Sequence, residues 1–194
     1  MGHIFFIMGI SGAGKGTLIK NLKALNLENL LIPLSYKTRN IRENEINGVD
    51  RYFISKESFF SQVQNGEFLE YAKVHDLDFY GTKFEDIVDK GINLGKIVLK
   101  EIDIIGLKKL KINHPELDLK YTTIFLDIPI EILNQRIEKR GVFMSDSEFE
   151  NRLNSAKNEI FESKNLCDFI IDASKNETEV LNDVLSIIKP KNYS

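Results

Sequence analysis

The stretch GISGAGKGT, residues Gly9–Thr17, decides how the chain is read. It follows a continuous apolar run, HIFFIM (His3–Met8), and opens a helical pattern, GTLIKNLKAL (Gly16–Leu25). An unbroken apolar run fits a strand buried on both faces. Gly9, Gly12 and Gly14 let the backbone turn tightly and bring its N–H groups to an anion. The helix from Lys15 onward points its positive N-terminal end at the same place. Lys15 adds a full charge that reaches outer phosphates. The strict pattern G-x-x-x-x-G-K-[ST] asks for Ser or Thr after the lysine, and Gly16 stands there instead. Thr17, one position later, still offers a hydroxyl near a metal ion. Gly9, Ile10, Ser11, Gly12, Ala13, Gly14, Lys15, Gly16 and Thr17 are therefore the expected phosphate-binding loop.

Working outward, short apolar runs alternate with helical patterns. KIVLKEID (Lys96–Asp103), YTTIFLDI (Tyr121–Ile128) and DFIIDA (Asp168–Ala173) read as strands. IEILNQRIEKR follows the second and NETEVLNDVLSIIK the third, both with helical periodicity. This alternation predicts an α/β fold with a parallel sheet. From Ser35 to Gly91 the pattern changes to short strand-like pieces (DRYFIS, FLEYAKV) and one helix, KESFFSQVQNG, which suggests a small mixed lobe inserted in the core. RGVFMSDSEFENR (Arg140–Arg152) reads as a polar loop re-entering a helix, a candidate lid.

Composition sets outer bounds. The 194 residues are 42% apolar and 28% charged, ordinary for a globular chain with a real core. A net charge of −3 gives no broad basic field, so nucleic acid is not an expected partner and any anion site must be local. The single cysteine, Cys167, excludes an internal disulfide. His3, His75 and His114 are scattered. No apolar run approaches the ~20 residues of a membrane span, and the N-terminus lacks the basic flank of a signal peptide. A cytoplasmic protein with no membrane partner is the expectation.

A nucleoside triphosphate on such a loop needs a metal partner. KIVLKEID ends with Glu101 and Asp103, expected on one side of a strand and at its C-terminal end, where open α/β sheets bind ligands. An acid there can hold Mg²⁺. The stretch SYKTRNIRENEINGVDRYF (Ser35–Phe53) concentrates Lys37, Arg39, Arg42 and Arg51, and arginine forks suit phosphate oxygens. FLEYAKV places Glu70 among apolar residues, and Tyr80 and Thr82 flank a glycine.

These ordered motifs resemble guanylate kinases, which move a phosphate from ATP to GMP. Ser35, Arg39 and Arg42 have the family's spacing. Its G-E-x-x-G-x-D-Y-x-F is met as NEINGVDRYF, its F-L-E-x-A as FLEYA, its Y-G-T as Tyr80-Gly81-Thr82, its E-I-D-x-Q-G as EIDIIG and its R-L-x-x-R-G as RIEKRG. Members also use GKGT, which accounts for Gly16. The resemblance implies a P-loop three-layer α/β/α fold with a core of residues 1–34, 92–132 and 154–194, a mixed GMP-binding lobe of residues 35–91 and a lid of residues 133–153. It implies that Arg39, Arg42 and Tyr80 hold the GMP phosphate. Glu70 would read N1–H and N2–H₂ of guanine, with Ser35, Thr82 and Glu101 completing the base contacts. Lys15, Arg42, Arg140 and Arg152 would serve the transfer, Arg136 would lie along ATP, and Thr17 and Asp103 would hold Mg²⁺. The family pattern is broken in four places. Arg51 occupies a tyrosine position, with Tyr52 one place late, and reads as a changed phosphate contact. Ile41 replaces a proline, Ile105 replaces a glutamine, and VHDLDFYGT is one residue longer than usual. The alternatives are a ribose 1,5-bisphosphate kinase, which has no base to recognise, and a non-catalytic guanylate-kinase-like binding module, which typically has a degraded loop and lid.

Overall fold

The computed structural model describes residues 2–43, 45–74, 78–133 and 146–189. Its strands are β1 (His3–Met8), β2 (Leu30–Leu31), β3 (Tyr36–Lys37), β4 (Tyr52–Phe53), β5 (Phe68–Val74), β6 (Asp78–Lys83), β7 (Ile97–Glu101), β8 (Tyr121–Asp127) and β9 (Phe169–Asp172). The helices are α1 (Lys15–Ala24), α2 (Lys56–Gln64), α3 (Phe84–Ile87), α4 (Ile104–Asn113), α5 (Asp146–Leu166) and α6 (Glu177–Ile188). The central sheet has the order β2-β7-β1-β8-β9, and β2–β7 and β8–β9 pair in parallel. The fold is mixed α/β, as the alternation predicts.

Contacts divide the chain into two compact units. One comprises Phe5–Glu28, Glu101–Ile104 and Thr122–Ser194; the other comprises Met1–Ile4, Asn29–Lys100 and Ile105–Tyr121. The apolar run of β1 is buried through Met8, which leaves the glycine loop at the end of a buried strand. Leu18 and Leu22, one helical turn apart, bury one face of α1. Asn176 caps α6 in a capping box with Glu179, and Val180, Val184 and Ile188 form the buried stripe that this start sets in phase. Helices α1 and α6 pack together, and α6 also packs on β9.

The second unit contains a mixed sheet of order β4-β3-β6-β5. Strand β3 pairs in parallel with β4 and antiparallel with β6, and β5 pairs antiparallel with β6. Ser55 caps α2 by accepting from Ser58 N at 3.1 Å. That helix buries Phe59 completely, with its ring 4.5 Å from Phe68 and 6.0 Å from Phe79. The sheet is thus anchored by aromatic rings from three elements.

Local details depart from the sequence reading. DRYFIS supplies only the two-residue strand β4. Residues before it are held in a turn, with Val49 N and Asp50 N donating to Ile46 O, and the Ser55 cap starts α2 directly after it. KIVLKEID stops pairing early. Strand β7 ends at Glu101; Ile102 N still donates to Ile7 O at 3.1 Å, and the chain then turns into α4. Asp103 therefore precedes a helix and does not extend the strand. Helix α4 and strand β2 were not anticipated.

Gly81 shows how tightly the mixed sheet is built. A Cβ there would lie 2.6 Å from Phe68 Cδ1 and 2.8 Å from Glu70 O. Gly81→Ala should destabilise the protein by about 1–3 kcal/mol, read by urea unfolding. An unchanged midpoint would show that β5 and β6 separate there without cost.

Candidate active site

The glycine loop takes the backbone conformations its composition permits. Gly12 has φ 101° and Gly14 φ 97°, left-handed values that disfavour any side chain. Gly14 immediately precedes α1, so the helix starts where the loop ends. Lys15 folds back along the loop, its Nζ donating to Gly9 O and, at 3.2 Å, to Ile10 O. A Cβ on Gly16 would meet nothing within 4 Å, so glycine at this departure from the strict pattern is not demanded by crowding. An open cavity of about 300 Å³ is lined by Gly12, Ala13, Gly14 and Thr17 on the loop side and by Lys175, Glu177 and Val180 on the other.

One acid near this loop was missed by the sequence reading. Glu159 on α5 has its carboxyl pushed up by burial, pulled down by Lys15 and pushed up again by Asp103. Lys15, Asp103 and Glu159 therefore share one electrostatic environment. No local signal marks Glu159, because a single acid in a charged helix reads as solvated. Arg136 and Arg140 lie outside the described residues, as does the side chain of Arg152.

The second unit brings the cation-rich residues together. Lys37, Arg39, Arg42, Arg51 and Tyr80 line one cavity of about 370 Å³ with Phe79, Glu45 and Asp78. Four cations face two carboxylates, so the cavity keeps a local positive excess in an acidic protein. Arg51 lines this cavity, whereas Tyr52 stacks on Tyr36 with ring centroids 4.8 Å apart. The displaced tyrosine is thus used in packing, and the arginine lines the cavity. Arg39 stands over the Phe53 ring at 5.2 Å, and Lys37 over the Tyr80 ring at 5.1 Å.

Glu45, also missed by the sequence reading, organises this cavity. Its carboxylate accepts from both terminal nitrogens of Arg39, at 2.7 and 2.5 Å, and from Arg42 N at 3.0 Å. The Arg39 fork is therefore held in a defined orientation by the kind of planar bidentate pairing that a phosphate also satisfies. These contacts hold the Glu45 carboxyl down to about 2.

The base-reading candidates follow from strand register. Glu70 lies opposite Thr82 and Ala72 opposite Tyr80, while Lys37 lies opposite Tyr80 and Tyr36 opposite Gly81. Carried back one residue, the β3–β6 register sets Ser35 against Thr82. Side chains in one row share a sheet face, and rows two residues apart share it too. Ser35, Thr82 and Glu70 thus form one row and Lys37 and Tyr80 the next, about 7 Å along the strands. Glu70 and Thr82 are buried, and the Thr82 hydroxyl donates to Glu70 Oε1 at 2.8 Å. Thr82 therefore positions the carboxylate. Glu101 ends β7 and belongs to the glycine-loop unit. Among the described residues no group of three or more His, Cys, Asp or Glu is arranged to hold a metal, and no helix is long and apolar enough to cross a membrane.

The family model for guanylate kinase matches residues 1–190. The chain is 36% identical over 192 residues to a guanylate kinase of Clostridioides difficile, covering 98% of this chain and 90% of that protein. It is 39% identical over 187 residues to one of Prochlorococcus marinus, covering 95% and 91%. The crystal structure of guanylate kinase from Anaplasma phagocytophilum superposes with a TM-score of 0.75 at 25% identity, covering 100% of this chain and 87% of that one.

The Glu45–Arg39 pair carries a pH signature. A carboxylate whose folded pKa is depressed contributes stability that is fully present above its ordinary value, 4.5, and is lost as pH falls towards about 2. Glu45→Gln should therefore lower stability slightly near neutral pH, by up to about 1 kcal/mol for so accessible a pair, with the difference vanishing by about pH 2. Urea unfolding across that range checks it; a difference that persists at the acid end would assign the effect to packing.

Proposed function

The chain belongs to the guanylate kinase family, and we propose that it transfers the terminal phosphoryl group of ATP to GMP, giving ADP and GDP, with dGMP as a further acceptor. The observation that carries the proposal is the shared sheet face. It offers a buried carboxylate and two hydroxyls in one row and a lysine with a phenol in the next, the second row lining the same cavity as three arginines, so groups suited to a purine edge and to a phosphate share one face.

The chemistry of each group supports the reading. Guanine offers two donors on its pairing edge, N1–H and N2–H₂, and Glu70 accepts both. Adenine presents an acceptor at N1, which a carboxylate repels, so the wrong base leaves buried groups unpaired. Arg39, Arg42, Arg51 and Tyr80 would hold the acceptor phosphate. Ser35 and Thr82 support base recognition, and Glu101 would add a contact to the base. On the donor side, the N–H groups of residues 9–17 and Lys15 would hold the ATP phosphates. Arg136, Arg140 and Arg152 in the lid, residues 133–153, would close over them. The acceptor lobe would be residues 35–91 and the core residues 1–34, 92–132 and 154–194.

Phosphoryl transfer needs alignment and charge neutralisation more than covalent help. Thr17 lines the loop cavity and Asp103 shares the electrostatic environment of Lys15, and their hard oxygens would suit Mg²⁺. When bound it would neutralise charge between the outer phosphates of ATP. Lys15, Arg42, Arg140 and Arg152 would stabilise the charge that spreads over the transferred group, and exclusion of water by the lid would suppress ATP hydrolysis. In the cell this reading places the chain in purine nucleotide metabolism in the cytoplasm.

An ADP-release assay with ATP and Mg²⁺, offering GMP, dGMP, AMP and ribose 1,5-bisphosphate in turn, tests the proposal. Turnover confined to GMP and dGMP supports it; turnover of ribose 1,5-bisphosphate, or none despite ATP binding, overturns it. Lys15→Ala should lower kcat by about 100-fold or more with the fold retained. Glu70→Gln should cut the preference for GMP over AMP by about two orders of magnitude, and an unaltered ratio would remove Glu70 from base recognition.

A further inference from the structure

Lysine is rarely buried without partners. Lys100, the fourth residue of β7, is only 3% exposed, and its Nζ donates to Pro33 O at 3.1 Å and to Ser35 Oγ at 2.9 Å. No motif singled it out, and nothing in the phosphate chemistry requires it.

The direction of these bonds has a consequence for Ser35. A lysine ammonium donates and never accepts, so the Ser35 oxygen must be the acceptor. The Ser35 proton is thereby turned away from Lys100, and no described residue takes it. Ser35 immediately precedes β3, whose register, carried back one residue, sets it opposite Thr82 and so in line with Glu70. With Glu70 spanning N1–H and N2–H₂ of a guanine, the next atom along the same edge is the O6 carbonyl, an acceptor.

We infer that Lys100 is a specificity-determining positioning residue: it fixes Ser35 as a hydrogen-bond donor aimed at the 6-position of the acceptor base, so that a 6-oxo purine is accepted and a 6-amino purine is refused. This inference rests on the GMP reading above. A free serine hydroxyl rotates to donate or accept and accommodates either an oxo or an amino group. A serine that already accepts from a buried ammonium has one of its two acceptor sites taken and its proton turned elsewhere, which biases it toward donating. An incoming amino group would aim its N–H at an oxygen already engaged by a cation. Lys100 thus enforces at position 6 what the Glu70 charge enforces at positions 1 and 2. Its second bond, to Pro33 O, fixes the backbone two residues ahead of Ser35, so that the donor keeps its place as well as its direction.

The test is steady-state kinetics of the full chain, comparing wild type, Lys100→Met, Ser35→Ala and the double variant on GMP, 6-thio-GMP and AMP. 6-Thio-GMP keeps N1–H and N2–H₂ but replaces O6 with sulfur, a weak acceptor. Lys100→Met is expected to raise KM for GMP up to about 10-fold with kcat changed little, and to raise KM for 6-thio-GMP much less, so the preference between them collapses. Ser35→Ala should do the same, and the double variant should be no worse than Ser35→Ala alone, because Lys100 acts through that hydroxyl. Equal losses on both nucleotides, or multiplying penalties in the double variant, would overturn the inference in favour of plain support of residues 33–35. Should Lys100→Met fail to fold, as judged by thermal unfolding, Lys100→Gln carries the same comparison. Wild-type chain inactive on GMP would overturn the parent reading and this inference together. Full wild-type activity with an unaltered preference in the Lys100 variant would overturn the inference alone.

Discussion

The pairing of β5 with β6, Glu70 opposite Thr82, is the constraint on which the acceptor site depends. Strand side chains alternate faces, so a slip of one residue would send Glu70 to the opposite face and bring Tyr71 in its place. The aromatic rings of Phe59, Phe68 and Phe79 and the lack of room at Gly81 hold that register. Because β3 pairs with the other edge of β6, the same register also sets Lys37 beside Tyr80 and brings Ser35 into the Glu70 row. One geometric fact therefore aligns Ser35, Thr82 and Glu70 with Lys37 and Tyr80 on one face of the sheet.

Charge is handled differently in the two units. At the glycine loop the fixed polarity comes from backbone, with left-handed glycines leading into the start of α1, and Lys15 supplies the full charge. In the mixed sheet it comes from side chains, and these need internal organisation. Glu45 supplies it by holding Arg39 in a fork geometry while also fixing Arg42 N. The cost is a carboxylate inside an anion-binding cavity; four cations outweigh it and Asp78 together. Tyr36, pushed up to about 12 mainly by burial, stays a neutral packing group against Tyr52 and Phe68.

How far the chain was legible depended on whether a function was local in sequence. The glycine loop was readable because its turn residues, its lysine and its helix start are contiguous. The cations of residues 37–51 were readable as a group, and the cavity they form with Tyr80 is what their density suggested. Asp103 was assigned to a strand because apolar periodicity does not report where hydrogen-bond pairing stops; β7 ends two residues earlier. Glu45, Lys100 and Glu159 were invisible. Each is one charged residue in a stretch where charge is ordinary, and its meaning lies in a partner elsewhere: Arg39, Ser35 or Lys15.

The sequence by itself determined the α/β class, the phosphate loop and the family, since these rest on periodicity and on motifs whose parts are neighbours along the chain. Only the tertiary structure decided that Ser35, Glu70, Thr82 and Lys100 come together, and in which direction their hydrogen bonds run. Those relations depend on strand register and burial, which bring together residues up to 65 positions apart, and no local pattern encodes them.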